Sequence, residues 1–463
     1  MIGLSRWRAP LASLEAADRW GLVALPLVAV VLRLAYAATL PPQIVVTYEA
    51  DPLTYDQIAR NLVAGKGFTG ASFYYPPGTE HPTAFWDPLY PFFLAALYWA
   101  FGHSVPLVRA VQALLGGVAV ALTYVVGRQL VGQSPRPWPF VREGTASGNA
   151  GGPPASSRCG QRAGLLAAAI SAAYPFFIYY AGHLLTETLF MALILALFSA
   201  GFAAAATGRL SWFLALGVLG GLAALCRAEA FPVALVAAGW AAWAAGGRWP
   251  RRMGLAAAGI ALVLAVMLPW GIRNQLTHGQ LILTTTKLGY NLYKYYHPLM
   301  TADQKVAVVP FPDFGDRTEP QREALMRQQA LRFMLDDPGR TLRFMLTKLG
   351  LLFKIVPTNE VNQKYALVSV GSYGLLLPFM VAGLVMAVRR GGRFWPVVAY
   401  VLFSVATKAA VFAGIRLRMQ IEPFLILFAA FAIVALAERL RPAGWAARLR
   451  PAWLALSQRR PVA

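Results

Sequence analysis

The chain has 463 residues, of which 57% are hydrophobic and 13% charged, and its mean hydropathy is +0.52. Soluble domains carry roughly a quarter charged residues, so a conventional soluble enzyme is excluded, and so is disorder over most of the length. The net charge of +22, from 42 Lys+Arg against 20 Asp+Glu, would suggest nucleic acid in a soluble protein. Here it lies mostly in short loops between apolar runs, as membrane topology requires, and no nucleic-acid partner is expected. Two cysteines, Cys159 and Cys226, are too few for a disulfide framework.

A bilayer core takes about 20 apolar residues per helix. In chain order, runs at or near that length occupy 21–40, 106–131, 163–182, 187–206, 210–226, 230–247, 253–271, 367–388, 394–413 and 419–437. Ala35-Tyr36-Ala37 offers a small-x-small pattern after the first run. However, Arg33 interrupts that run and a polar stretch precedes it, so an uncleaved first helix is expected rather than a signal peptide. Two shorter runs, 88–102 and 341–356, carry helix-face polarity or flanking charge and are expected to lie on the membrane as interfacial helices. The predicted fold class is an all-α polytopic membrane protein of about ten or more transmembrane helices, with two long outer loops.

The positive-inside rule supports this count. One side of the membrane then receives residues 1–20, 132–162, 207–209, 248–252, 389–393 and 438–463, rich in arginine and holding only Glu15, Asp18, Glu143 and Glu438 as acids. Promoting just one of the short runs to a span would move arginine clusters outside. The expected layout is a cytoplasmic N-terminus (1–20), a membrane domain (21–440) and a basic cytoplasmic tail (441–463), in the inner (plasma) membrane with both termini cytoplasmic. Residues 132–162, rich in Gly, Pro and Ser, are expected to be a disordered cytoplasmic insertion. No internal repeat is visible, so an inverted-repeat transporter gains no support.

The outer face receives loops 41–105 and 272–366 and sixteen of the twenty acidic residues, including those at its boundary. That bias points to an outward-facing site with chemistry in it. The first loop opens with Tyr48-Glu49-Ala50-Asp51-Pro52, followed by Tyr55 and Asp56. A carboxylate near the low-dielectric interface can be tuned toward general-base strength. An amphipathic stretch then ends at Gly65-Lys66-Gly67, and His81-Pro82 through Trp86-Asp87-Pro88-Leu89-Tyr90-Pro91 leads into the short apolar run.

Together, these motifs resemble the GT-C superfamily, in particular the bacterial relatives of protein O-mannosyltransferases and lipid A aminoarabinose transferases. The resemblance rests on Asp51…Tyr55…Ile58-Ala59…Asn61-Leu62…Gly65…Gly67-Phe68, Pro88-Leu89-Tyr90-Pro91 and Arg109…Gln112-Ala113-Leu114. It continues in order through Thr186-Glu187-Thr188-Leu189, Arg227-Ala228-Glu229, Pro269-Trp270-Gly271-Ile272-Arg273-Asn274, Gly289-Tyr290-Asn291-Leu292-Tyr293 and Arg416-Leu417-Arg418-Met419-Gln420-Ile421-Glu422-Pro423. It implies a GT-C-like bundle that transfers a sugar from a polyprenyl-phosphate donor to a lipid, glycan or protein acceptor on the outer side. It also implies a single inverting displacement with an acidic base in the first outer loop. Asp51 is the matching position, with Glu49 as the runner-up.

Arg227, Arg273, Lys287, Arg416 and Arg418 are candidates to hold the donor phosphate, since arginine's planar fork donates two hydrogen bonds. Glu187 is a candidate second acid that positions the acceptor or a metal. Tyr55, Trp86, Tyr90, Tyr290, Asn291 and Tyr293 are candidates to position substrate. The resemblance departs at Trp86-Asp87, where relatives carry a basic residue, and at Lys294-Tyr295-Tyr296-His297-Pro298, which replaces a glycine-rich stretch. This chemistry needs no nucleotide cofactor. A divalent metal is possible, His183 lying four residues before Glu187. Two other readings are a flippase or transporter of lipid-linked saccharides, and a polysaccharide polymerase or ligase. The flippase would need ionisable residues near the bilayer midplane, where only Arg33 and Lys408 qualify.

Overall fold

The computed structural model describes residues 16–45, 51–131, 155–302, 309–356 and 366–440. They form a polytopic bundle of α-helices. Strands among them are confined to the two-residue pair Thr69–Gly70 and His81–Pro82, antiparallel with Thr69 opposite Pro82.

All ten apolar runs fold as helical segments, because an isolated run in lipid can satisfy its backbone only by helical hydrogen bonds. Five are long and apolar enough to cross a membrane alone: Trp20–Ala38, Val105–Leu130, Glu187–Thr207, Trp249–His278 and Ala366–Arg390. The run expected at 163–182 is broken instead. Its two parts, ending and beginning at Ala173 and Pro175, meet at 52°. Pro175 lacks an N–H and pushes Tyr174 into an extended conformation (φ −68°, ψ 117°), which ends the first part. Leu210–Cys226, Ala230–Ala244 and Phe394–Ala410 have 17, 15 and 17 residues. At a rise of 1.5 Å per residue they are shorter than a core of about 30 Å. The two runs expected to be interfacial fold as the helices Leu89–Phe101 and Pro338–Leu352. Residues 155–162, expected within a disordered insertion, are the opening turns of helix Ala155–Ala173, while 132–154 and both chain ends lie outside the described residues.

Helix Glu422–Arg439 is the buried centre of the bundle, packed against Leu375–Arg390 and Ala155–Ala173. Gly383 makes the first of these contacts possible, since a Cβ there would collide with the Phe428 carbonyl. Charges inside the bundle are held by fixed partners. Arg33 donates to the carbonyls of Ala29, Ala172 and Ser171 at 2.9, 3.1 and 3.2 Å. Lys408 donates to Glu229 at 2.8 Å and to Ser404 Oγ at 2.6 Å.

The two long loops fold together. The first carries helices Asp51–Val63 and Leu89–Phe101, the second Lys287–Tyr296, Glu319–Asp336 and Pro338–Leu352. Their fastening is Glu319, opened by a capping box of Thr318 and Gln321. Its carboxylate is fully buried and accepts from Thr83 Oγ1, Ala84 N and Thr286 Oγ1, each at 2.8 Å. Burial pushes its pKa up, and those three hydrogen bonds oppose the shift. Glu319→Ala leaves three buried donors unpaired, at about 1–3 kcal/mol each. The expected outcome is a fall in stability on the order of 3 kcal/mol, read as a lower Tm in detergent, and an unchanged Tm would show that the loops are held by other contacts.

Candidate active site

Where the loops meet the bundle, six charged side chains gather from six parts of the sequence. Asp51 is the first residue of helix Asp51–Val63, where a carboxylate suits the positive helix end. Its Oδ2 accepts from Arg416 Nη1 at 2.8 Å, and its side chain is 26% exposed. Arg416 comes from the four-residue helix Ile415–Arg418, and its Nε donates to Glu187 Oε1 at 2.6 Å. Glu187, first residue of its helix and fully buried, also accepts from Arg227 Nη2 at 3.3 Å. Arg227 is in extended conformation just past helix Leu210–Cys226, and its Nε donates to Thr186 Oγ1 at 3.1 Å.

Asp87 completes the set with Lys287. Its Oδ1 accepts from the Ala228 backbone N–H at 3.2 Å, and its Oδ2 lies 3.4 Å from Lys287 Nζ. The Lys287 ammonium also stands over the Trp86 ring, 4.4 Å from its centroid. Three carboxylates and three cations therefore balance. Burial raises the Asp51 pKa above the usual carboxylate range, with Lys287 and Arg227 pulling it down and Asp87 pushing it up. Two buried atoms in this cluster, Arg227 Nη1 and Glu187 Oε2, have no hydrogen-bond partner. Orphaned buried groups are uncommon in folded proteins and mark places where a ligand can bind.

An aromatic wall surrounds the carboxylates. Tyr55 contacts Trp86 and Tyr90 edge-on, at 5.4 and 5.2 Å between centroids. Phe73 stacks on Tyr290 at 4.6 Å. Beside the cluster runs a groove of about 560 Å³, lined by Leu62, Phe68, Leu89, Phe92 and Trp270 with Lys66 and Arg273 as its cations. Pro88 and Leu225, which also line it, adjoin Asp87 and precede Arg227 by two positions.

The structure thus brings together Asp51, Glu187, Arg227, Lys287 and Arg416, with Tyr55, Trp86 and Tyr290 nearby. It separates the rest. Arg418 pairs with Glu422 at 2.5 Å, sits 3.4 Å from the Tyr373 ring centroid, and donates to the Lys354 carbonyl at 3.0 Å, so its guanidinium is committed to a buried network of its own. Arg273 holds the first loop through the Thr83 and Phe68 carbonyls at 2.9 and 2.8 Å and faces the groove rather than Asp51. Tyr90 is wholly buried with its hydroxyl on Gln112, and Tyr293 donates to the Pro310 carbonyl; both are structural struts. Asn291 is half-buried on the same helix. Glu49 lies outside the described residues. Glu187 is fully buried with Oε1 held by Arg416 and Arg227.

Sequence reasoning missed Asp87 as a member of the cluster. Its signal was an acid immediately before the Pro88 that leads into a helix. Among the described residues no group of three His, Cys, Asp or Glu side chains is placed to hold a metal ion. His183 is buried with Nδ1 2.9 Å from the Tyr179 carbonyl.

Comparison with known proteins finds a family model that matches part of the chain. Residues 155–272, a quarter of the chain, match the family model described as dolichyl-phosphate-mannose-protein mannosyltransferase. No curated protein sequence shows a significant match. Two solved structures of ArnT from Cupriavidus metallidurans are similar. The apo form is 16% identical with a TM-score of 0.45, covering 96% of this chain and 64% of that one, so this chain spans less than two thirds of its length. The form bound to undecaprenyl phosphate is 14% identical with a TM-score of 0.40, covering 90% of this chain and 78% of that one. Scores below 0.5 leave these likenesses without weight for the chemistry. The family match, which takes in Glu187 and Arg227, agrees over residues 155–272 with the resemblance to protein O-mannosyltransferases.

Proposed function

We propose that the protein is a membrane glycosyltransferase that moves a sugar from a polyprenyl-phosphate donor to an acceptor hydroxyl on the extracytoplasmic face. The observation that carries this reading is the partly exposed Asp51 carboxylate set among Arg416, Arg227 and Lys287 at the edge of the bundle. Asp51 takes the acceptor proton as the acceptor oxygen attacks the anomeric carbon. The bond from that carbon to the phosphate oxygen breaks, and the lipid phosphate leaves with the electron pair. Lys287, Arg416 and the unpartnered Nη1 of Arg227 stabilise the departing charge. An incoming phosphate competes with Asp51 for Arg416, which raises the proton affinity of Asp51 and makes it a better base. The apolar groove beside Asp87 and Arg227 suits the isoprenoid chain.

The family match to residues 155–272 supports this class of activity. A flippase gains less support, since Arg33 and Lys408, the charges within spans, are bound to fixed partners. The test uses purified protein in lipid nanodiscs with radiolabelled polyprenyl-phosphate sugars and a membrane extract as acceptor. Label moving into a new product supports a transferase. Saturable donor binding without transfer from any donor would favour the flippase.

A further inference from the structure

Asp87, like Glu187, touches two chain segments besides its own, and of the two it alone reaches a backbone N–H outside its own segment. The backbone it grips, Ala228 N, immediately follows Arg227, and the ammonium it grips is the first residue of helix Lys287–Tyr296. Asp87 is itself 9% exposed, and Lys287 keeps a side chain 23% exposed. A lysine on a four-carbon stem has many rotamers, and without a fixed anion its ammonium would turn outward to water. The Trp86 and Phe85 rings, 4.4 and 5.6 Å from Nζ, supply an apolar cradle that favours the cation but does not set its direction. The neighbouring fastening at Glu319 fixes Thr83, Ala84 and Thr286, so the segments ending in Asp87 and beginning at Lys287 are already aligned.

We propose that Asp87 is a positioning residue for phosphate binding, which aims the Lys287 ammonium and holds the turn carrying Arg227 so that both cations address one anionic headgroup. This rests on the reading of those cations as donor contacts. Asp87 touches neither phosphate nor sugar. Its two oxygens divide the task, one for the lysine and one for the turn.

The division makes a discriminating variant available. Asp87→Asn keeps a carbonyl oxygen for Ala228 N–H and removes the charge that holds Lys287. Affinity for a polyprenyl phosphate is measured in phosphatidylcholine nanodiscs for wild type, Asp87→Asn, Lys287→Met and the double variant. A hydrogen bond to a charged group is worth about tenfold to a hundredfold in binding. Asp87→Asn is expected to weaken binding by about that factor, and the double variant to bind no worse than Lys287→Met alone, since the loss passes through the lysine. Labelling of Lys287 by an amine-reactive reagent, read by mass spectrometry, is expected to rise in Asp87→Asn. Wild-type affinity in Asp87→Asn, or additive losses in the double variant, would overturn the proposal. If Lys287→Met also binds as wild type, the donor-contact reading fails instead, and unchanged labelling would then reject the grip itself. Should Asp87→Asn not fold, Asp87→Ser keeps an acceptor for Ala228 N–H and serves in its place.

Discussion

Asp51→Asn is expected to lower sugar transfer by about 10²- to 10⁴-fold, the range that general bases contribute, while polyprenyl-phosphate binding stays within a few-fold of wild type. The asparagine carbonyl can still accept from Arg416, so the cluster keeps its shape and loses only the proton acceptor. The pH dependence carries the same signature. Transfer needs ionised Asp51, so the rate falls as pH drops through its pKa, which burial sets above that of an ordinary aspartate. The acid limb of the profile therefore lies above that of an ordinary aspartate. It vanishes in Asp51→Asn.

The linkage to stability has the opposite sign from a stabilising ion pair. A carboxyl whose folded pKa exceeds its unfolded value binds more protons when folded, so stability declines as pH rises from the unfolded toward the folded pKa. Above that window Asp51 costs stability, and Asp51→Asn is expected to keep or raise the Tm. Near-wild-type transfer in this variant would remove Asp51 as the base.

The second large effect separates two arginines that sequence placed together. Arg416→Ala leaves a fully buried Glu187 with only its longer contact to Arg227 and releases Asp51; Arg418→Ala leaves an equally buried Glu422 with only the Tyr174 hydroxyl. Removing one partner of a buried pair costs about 3–5 kcal/mol, so both variants are expected to melt at clearly lower temperature. Only Arg416→Ala is expected to weaken polyprenyl-phosphate binding as well. Pairing each change with neutralisation of the stranded acid, as Glu187→Gln or Glu422→Gln, is expected to recover part of the Tm. The donor affinity lost in Arg416→Ala is not expected to return with Glu187→Gln. A loss of donor affinity in Arg418→Ala alone, at equal folded fraction, would return that residue to the phosphate site.

Much of the architecture was legible along the chain. Apolar runs near 20 residues dictate helices in lipid, the arginine distribution supplies a topology, and Pro175 could have announced the break that splits the run at 163–182. The span lengths were less legible, because hydropathy extends past the last helical turn. The run at 230–247 stops being a helix at Ala244, ahead of Gly246 and Gly247 in left-handed conformation. Asp51 could be singled out by its place at the start of the first long loop. Asp87 could not, since an acid before a proline has the same sequence signature in a turn as in a site.

Which segments are helices, and which residue types are available for phosphate and proton transfer, follow from local composition. The tertiary structure alone decided which of those charges meet. Arg416 and Arg418 are two positions apart on one short helix, so their side chains leave it in different directions, one toward Asp51 and Glu187 and the other toward Glu422. Asp87, Arg227 and Lys287 are scattered over 200 positions and converge where the two loops, pinned to each other at Glu319, meet the end of helix Leu210–Cys226. Long-range pairing of this kind is fixed by packing, for which no single stretch of sequence carries the signal.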